Sequence, residues 1–162
     1  MLPPGVELRP ATVRDCAAGA AMHLACWREA YAPLVDPALL EAHLADADRW
    51  TAAWRNRIVL GPPRLLAVAG DEVVGFASAG PARHADPPVE TELYALYVRA
   101  AWHGTGIGQA LLDRILADRP AYLWVLEDNR RAQAFYTRNG FAPTGRRQKY
   151  RPLDAWELMM AR

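Results

Sequence analysis

The stretch WHGTGIG, residues 102–108, sets glycine at positions 104, 106 and 108, after an apolar run and before a helix-like one. A strand that enters a helix through glycines leaves the first helical amides unpaired, with no side chain to obstruct an approaching anion. Phosphate is the natural guest of such a loop. A Walker loop is excluded, because the segment contains no lysine. The dinucleotide fingerprint stays open as an alternative, since Glu127 ends the next strand where a ribose-binding acid belongs. Against it, Gly104, Gly106 and Gly108 alternate instead of following G-x-G-x-x-G, and little chain remains for a second nucleotide-binding half.

The elements that must position this loop can be read from periodicity. A short strand over 6–9 precedes a helix from Val13 to Tyr31, started by Thr12 and Asp15 in a capping-box spacing and striped by Cys16, Ala20, Leu24, Trp27 and Tyr31. Asp36 and Pro37 open a second helix through Leu44; Trp50, Trp54 and Ile58 mark a third. Residues 65–69 and 73–78 form a hairpin around Gly70, and the polar loop PARHADPPVE leads to a strand over 91–98. After the glycines come a helix with Ile107, Leu111, Ile115 and Leu116 on one side, a strand over 122–126 and a helix capped by Asp128 or Asn129 and closed by Gly140. Strands near 141–150 and 156–160 finish the chain. Alternating strands and helices in the middle imply a partly parallel sheet covered by helices.

Composition narrows the class of partner. A chain of 162 residues, 52% hydrophobic and 23% charged, fits one globular domain. A formal charge of +1 gives no electrostatic case for nucleic acid or an anionic membrane. No apolar stretch approaches the roughly 20 residues of a membrane span, and MLPPGVELRP lacks the order of a signal peptide, so a cytoplasmic protein is expected. Cys16 and Cys26 sit too far apart along one helix to pair and read as reduced core residues. The histidines 23, 43, 84 and 103 show no metal-ligand spacing, and no metal is expected.

The run LYALYVRAAWHGTGIGQALLDRIL, followed by LWVLEDNRRAQAFYTRNGF, resembles the cofactor-binding core of the GNAT superfamily of N-acetyltransferases, which use acetyl-CoA. LRPATVRD resembles the family's first strand and helix start, and WELMMA its last strand, so the resemblance spans 1–162 as a single domain. It implies an α/β fold (α+β mixed sheet): a central mixed sheet flanked by helices, with a splayed parallel strand pair holding the cofactor. The family's loop pattern begins with Gln or Arg; here that position is His103, which removes the usual amide or guanidinium. The backbone amides of His103, Gly104, Thr105, Gly106, Ile107 and Gly108 remain to bind the pyrophosphate.

The same resemblance assigns roles. The strand before the loop bulges, so that Leu96, Tyr97 and Val98 pair through their backbone with the pantetheine arm, one amide holding the thioester oxygen. Asn129 matches the asparagine that bonds this arm, and reads equally as a helix cap. Tyr136, in the FY pair, is the proton donor to the leaving thiolate, since a phenol of pKa about 10 is protonated at neutral pH. For the base, two-residue alternation puts Glu92 on one strand face with Tyr94, Leu96 and Val98; Glu90 is the fallback. Trp27, Tyr31, Tyr94 and Tyr150 are expected to line the acceptor pocket, although core packing accounts for Trp27 as well. The cysteines lie far from the motif, so direct transfer to a primary amine in a ternary complex is expected, the amine belonging to a small molecule or to a peptide or protein. The chain is expected as monomer or homodimer. A non-catalytic acyl-CoA sensor and a dinucleotide-binding protein are the alternatives.

Overall fold

The computed structural model describes residues 2–162. Strand β1 (Val6–Pro10) leads through a 3-10 turn (Val13–Asp15) into helix α1 (Cys16–Tyr31). Helices α2 (Pro37–Leu44) and α3 (Ala47–Leu60) precede β2 (Arg64–Ala69), β3 (Glu72–Pro81) and β4 (Thr91–Val98). The second half runs α4 (Ile107–Leu116), β5 (Tyr122–Leu126), α5 (Arg130–Arg138), β6 (Ala142–Tyr150) and β7 (Ala155–Ala161).

Local chemistry sets these boundaries. Arg9 grips the carboxylate of Asp15 at 2.8 Å, and Asp15 Oδ2 accepts from the amide of Thr12 at 2.7 Å, so the Asp15 carboxyl is held far below the usual range. Asp36 accepts from the amides of Ala38 and Leu39, satisfying donors that the first turn of α2 leaves free. Gly140, at φ +83°, ends α5.

The seven strands form one sheet in the order β1-β2-β3-β4-β5-β7-β6. Neighbours are antiparallel except β4 and β5, which run parallel and are matched at a single pair, Glu92 with Tyr122. Beyond that pair the two strands part. Both faces of the sheet are covered, which explains the nearly continuous apolar reading of β2. On one face, Cys16, Ala20 and Met22 of α1 and Trp54 of α3 pack on Leu66, Val68 and Phe76. On the other, Ile107 and Leu111 of α4 pack on Leu65, Ala67, Val74 and Ala77, while Tyr136 of α5 joins Leu112, Leu116, Leu93, Leu123 and Met160. Cys16 and Cys26 are free and buried, and burial pushes the Cys26 thiol up to about 12. Among the described residues no helix is long and apolar enough to cross a membrane.

One irregularity corrects the sequence reading. In the β3–β4 register Ser78 faces Ala95 and Ala79 faces Leu93, leaving Tyr94 as an extra residue in β4. A bulge shifts the alternation of side chains by one. Leu93 and Leu96 therefore both face α4 and α5, while Ala95 and Tyr97 face α1 and α3. Glu92, next to Leu93, belongs to the second face and does not share one with Leu96 and Val98.

Gly19 lies in the middle of α1, where a Cβ would stand 2.3 Å from the Trp54 ring. Alanine gains about 1 kcal/mol of helix propensity. Overpacking against a fully buried, rigid indole costs about 1–3 kcal/mol and wins. Gly19→Ala should therefore lower the thermal midpoint in a calorimetric scan; a higher midpoint would show that Trp54 can retreat.

Candidate active site

The parting of β4 from β5 opens a continuous cleft of about 1020 Å³ that passes through the sheet. Its one mouth lies on the α4/α5 face and its other on the α1/α3 face. Beyond Glu92 the edge of β4 has no partner in β5, so backbone polar groups along Leu96, Tyr97 and Val98 border the opening. Groups of this kind, apart from Val98 O, which His103 engages, suit pairing with an extended ligand arm.

At the first mouth stands the glycine loop. Gly104 and Gly106 take φ of +77° and +92°, a region that disfavours any side chain, and Gly106 immediately precedes α4. Gly108 has no such constraint; a Cβ there would make ordinary contact with Phe135 at 3.7 Å. The side chains of Thr105 and Ile107 face away: the Thr105 hydroxyl donates to Trp102 O at 2.7 Å, and Ile107 is fully buried in the core. Only their amides remain for a ligand. His103 bonds Val98 O at 2.9 Å, and Arg131, from the first turn of α5, brings its guanidinium within 3.2 Å of the imidazole. A cation thus stands at the loop although position 103 itself is histidine.

Asn129 serves as the cap of α5, its Oδ1 accepting from the amide of Ala132 at 3.1 Å. Its side-chain NH2 group makes no hydrogen bond among the described residues, and the residue borders the cleft. Tyr136 also lines the cleft, without a hydrogen-bond partner for its hydroxyl among the described residues. Burial raises its phenol above the ordinary value, and the neighbouring Tyr31 adds to the shift.

The second mouth is walled by aromatic rings from α1, α2, α3 and β6. Trp27 packs edge-on against Tyr31 and Trp50, with His43 and Tyr150 beside it. The Tyr31 hydroxyl meets that of Tyr97 at 2.8 Å, and burial lifts the Tyr31 phenol to about 12. Below them His23 accepts from the Trp27 indole at 3.0 Å; burial, with Arg64 and Arg57 nearby, drives its pKa well below the usual value and keeps it neutral. Glu29, on the same helix, bonds Arg99 at 2.9 Å and the amide of Ala100 at 2.8 Å, tying α1 to the segment that enters the glycine loop. Tyr94 stands to one side, under the Arg83 guanidinium at 4.0 Å.

Two carboxylates of the cleft are shifted in opposite directions. Glu92 is 4% exposed and accepts from Arg83 Nη2 at 2.6 Å, from Arg83 Nε at 3.1 Å, from the Arg83 amide at 3.0 Å and from the Tyr122 hydroxyl at 2.9 Å. Burial alone would raise its carboxyl, but Arg83 and Tyr122 outweigh that and hold it below the ordinary value. Such a carboxylate is a weak proton acceptor. Glu90, the fallback, is exposed outside the cleft. Glu157, at mid-β7, lines the cleft half-buried; burial raises its carboxyl, opposed only by Gln148 Nε2 at 2.8 Å. No cation pairs with it among the described residues.

Glu157, His23 and Arg64 were missed in the sequence. Glu157 reads as one polar residue in an apolar strand, and that isolation is the only signal it gives.

The model of the acetyltransferase (GNAT) family matches residues 22–141 of this chain. A relative from Mycobacterium tuberculosis, "Probable N-acetyltransferase Rv2775", is 30% identical over 95% of this chain and 90% of its own length. Two solved structures share the fold: a GCN5-related N-acetyltransferase of Rhodopseudomonas palustris, TM-score 0.74 at 23% identity over 100% of this chain and 98% of that one, and the PaiA N-acetyltransferase of Thermoplasma acidophilum in complex with coenzyme A, TM-score 0.70 at 20% identity over 95% and 97%. Matched across most of its length in sequence and fold, the chain belongs to the GNAT family of acetyltransferases and is an acyltransferase.

Proposed function

We propose that the protein moves the acetyl group of acetyl-CoA directly to a primary amine, both substrates being bound at once. The observation that carries this reading is the single cleft through the split sheet, with a glycine loop at one mouth, an aromatic-lined lobe at the other and the Tyr136 phenol on its wall. The residues fit the donor: side-chain-free amides at Gly104 and Gly106 suit a pyrophosphate, Arg131 adds positive charge, and the unpaired edge of β4 suits the amide-bearing arm. Acetyl-CoA supplies the activated thioester.

The chain's own residues then divide the work. Free amides along Leu96–Val98 hold the carbonyl oxygen where negative charge develops. Glu157 takes the proton that the amine must lose, because a half-buried carboxylate with a raised pKa and one neutral donor is a better base than the clamped Glu92. Tyr136 gives its proton to the departing sulfur as the carbon–sulfur bond breaks. Its raised pKa keeps the phenol protonated throughout the neutral range, and the same apolar surroundings disfavour the thiolate it neutralises. Trp27 and Tyr31 shape the acceptor wall.

In calorimetry acetyl-CoA should bind at micromolar concentration and NAD should not; saturable NAD binding alone would transfer the protein to the dinucleotide class. Gly106→Val should weaken acetyl-CoA binding at least tenfold by filling the cradle and straining the backbone.

Tyr136→Phe keeps the ring and its packing. With an amine found by thiol-release screening, kcat should fall on the order of a hundredfold to ten-thousandfold, the range of general-acid contributions, while the dissociation constant of acetyl-CoA stays unchanged. A variant within a few-fold of wild type, with chemistry rate-limiting, removes Tyr136 from the acid role.

For Glu157 the sign of the pH effect is fixed by its raised pKa. The wild-type kcat/KM should fall on the acid side as the carboxyl takes up its proton, at a pH above the ordinary glutamate value of about 4.3. Glu157→Gln should lower kcat/KM and erase that limb. A raised folded-state pKa also means that stability falls as pH rises from the ordinary value to the raised one, so the Gln variant should melt no lower than wild type at pH 7. An unchanged pH profile would return the role to water.

A further inference from the structure

Arg64 is the anomaly of the cleft. It leaves β2 opposite Ser78, which in turn faces Ala95 beside the Tyr94 bulge, so that Arg64, Ser78 and Ala95 form one row across the sheet leading to the gap. The residue is 6% exposed, and its Nε and Nη1 are sealed from solvent without any hydrogen-bond partner. No carboxylate pairs with it among the described residues. Its guanidinium lies 4.3 Å from the centre of the Trp54 ring and 5.0 Å from that of Phe76. Arg57, which makes no ion pair among the described residues, also lines the lobe, and burial together with its charge lowers the Arg64 pKa to about 10. Arg64 remains charged at neutral pH.

A buried cation without a counter-ion carries a large desolvation penalty. Stacking on two rings offsets part of it. Among the described residues no carboxylate in this lobe does so: the nearby imidazole of His23 is neutral, and Glu92 is engaged by Arg83. Ser78, also bordering the cleft, makes no side-chain hydrogen bond among the described residues. The glycine loop proposed for the cofactor's pyrophosphate lies at the mouth on the opposite face, away from Arg64.

Resting on the acetyl-transfer reading above, we infer that Arg64, with Arg57 and Ser78, forms a subsite for a carboxylate borne by the acceptor itself, so that the substrates are amino-carboxylates. The planar fork of a guanidinium matches two carboxylate oxygens. The Arg64 guanidinium reaches from β2 over the ring of Phe76 on β3, the strand between β2 and β4, so that it meets the carboxylate of a small acceptor whose amine lies at the gap. The aromatic wall of Trp27, Trp50 and Tyr150 receives an apolar side chain.

The test pairs turnover with binding. Free amino acids with apolar side chains, L-phenylalanine first, are compared with their carboxamides as acceptors, and 3-phenylpropionate with 3-phenylpropanamide and 2-phenylethylphosphonate as unreactive probes in calorimetry with acetyl-CoA present. The wild type should favour the free carboxylate over the carboxamide at least tenfold in kcat/KM and should bind 3-phenylpropionate but not its amide. Arg64→Met should abolish both preferences by raising KM for the acid, leave the acetyl-CoA dissociation constant unchanged, and melt no lower than wild type because an uncompensated charge is gone. Arg57→Gln, at an exposed position, should weaken the preference in part and covers the case in which the Met variant does not fold. Equal use of acid and amide by the wild type, tighter binding of the phosphonate than of the carboxylate, or a retained preference in Arg64→Met overturns the subsite. If no acceptor reacts, the transfer reading fails while 3-phenylpropionate binding still decides the subsite.

Discussion

Everything in this molecule depends on where the sheet stops being a sheet. β4 and β5 meet at one residue pair and then separate, and a bare separation would leave strand edges with unsatisfied amides and carbonyls. What fixes the apex is a buried carboxylate: Glu92 is held by Arg83 from the preceding loop and by the hydroxyl of Tyr122, its partner across the parallel pair. The charge of Glu92 is compensated locally and its lone pairs are used, so the two strands are joined at one end by a network stronger than a ladder of neutral hydrogen bonds. From that fixed point the divergence gives each face of the sheet access to the other.

Electrostatic differences within the cleft follow from how far each group is compensated. Glu92 and Glu157 are the same side chain on neighbouring parts of one surface, one pushed down by an arginine and the other up by burial beside a neutral amide. Two carboxylates driven apart in this way suit different work: Glu92 holds the strands together, and Glu157 is the proposed proton acceptor. The tyrosines extend the pattern: burial holds Tyr31, Tyr97 and Tyr136 in the neutral, proton-bearing form.

What could be read in advance was what is local. Gly104 and Gly106 announce their positive φ by being glycine, and Asn129 and Tyr136 sit at fixed offsets within one strand-helix unit. The elements themselves were legible for the same reason, down to Asp36 and Pro37 at the start of α2. The base was not. Two-residue alternation fails at Tyr94, because a bulge leaves no mark in composition, and Arg83 lay in a loop read only as polar. Glu157 and Arg64 acquire meaning through strands far apart in sequence, β7 entering between β5 and β6 and β2 lying under α3. Their lack of a partner is a property of the folded surroundings alone.

The two mouths of the cleft are built from different lengths of chain. The glycine loop, α5 and the open edge of β4 lie between residues 96 and 138, whereas the aromatic wall and the charged groups near it come mainly from α1 to α3, β2 and the last two strands. Substitutions at Trp27, His43 or Tyr150 therefore fall outside the segments that build the glycine loop. On the proposed reading, acceptor choice could be remodelled while the donor side stays intact, and a directed-evolution library confined to those outer segments would explore new amines on an unaltered frame.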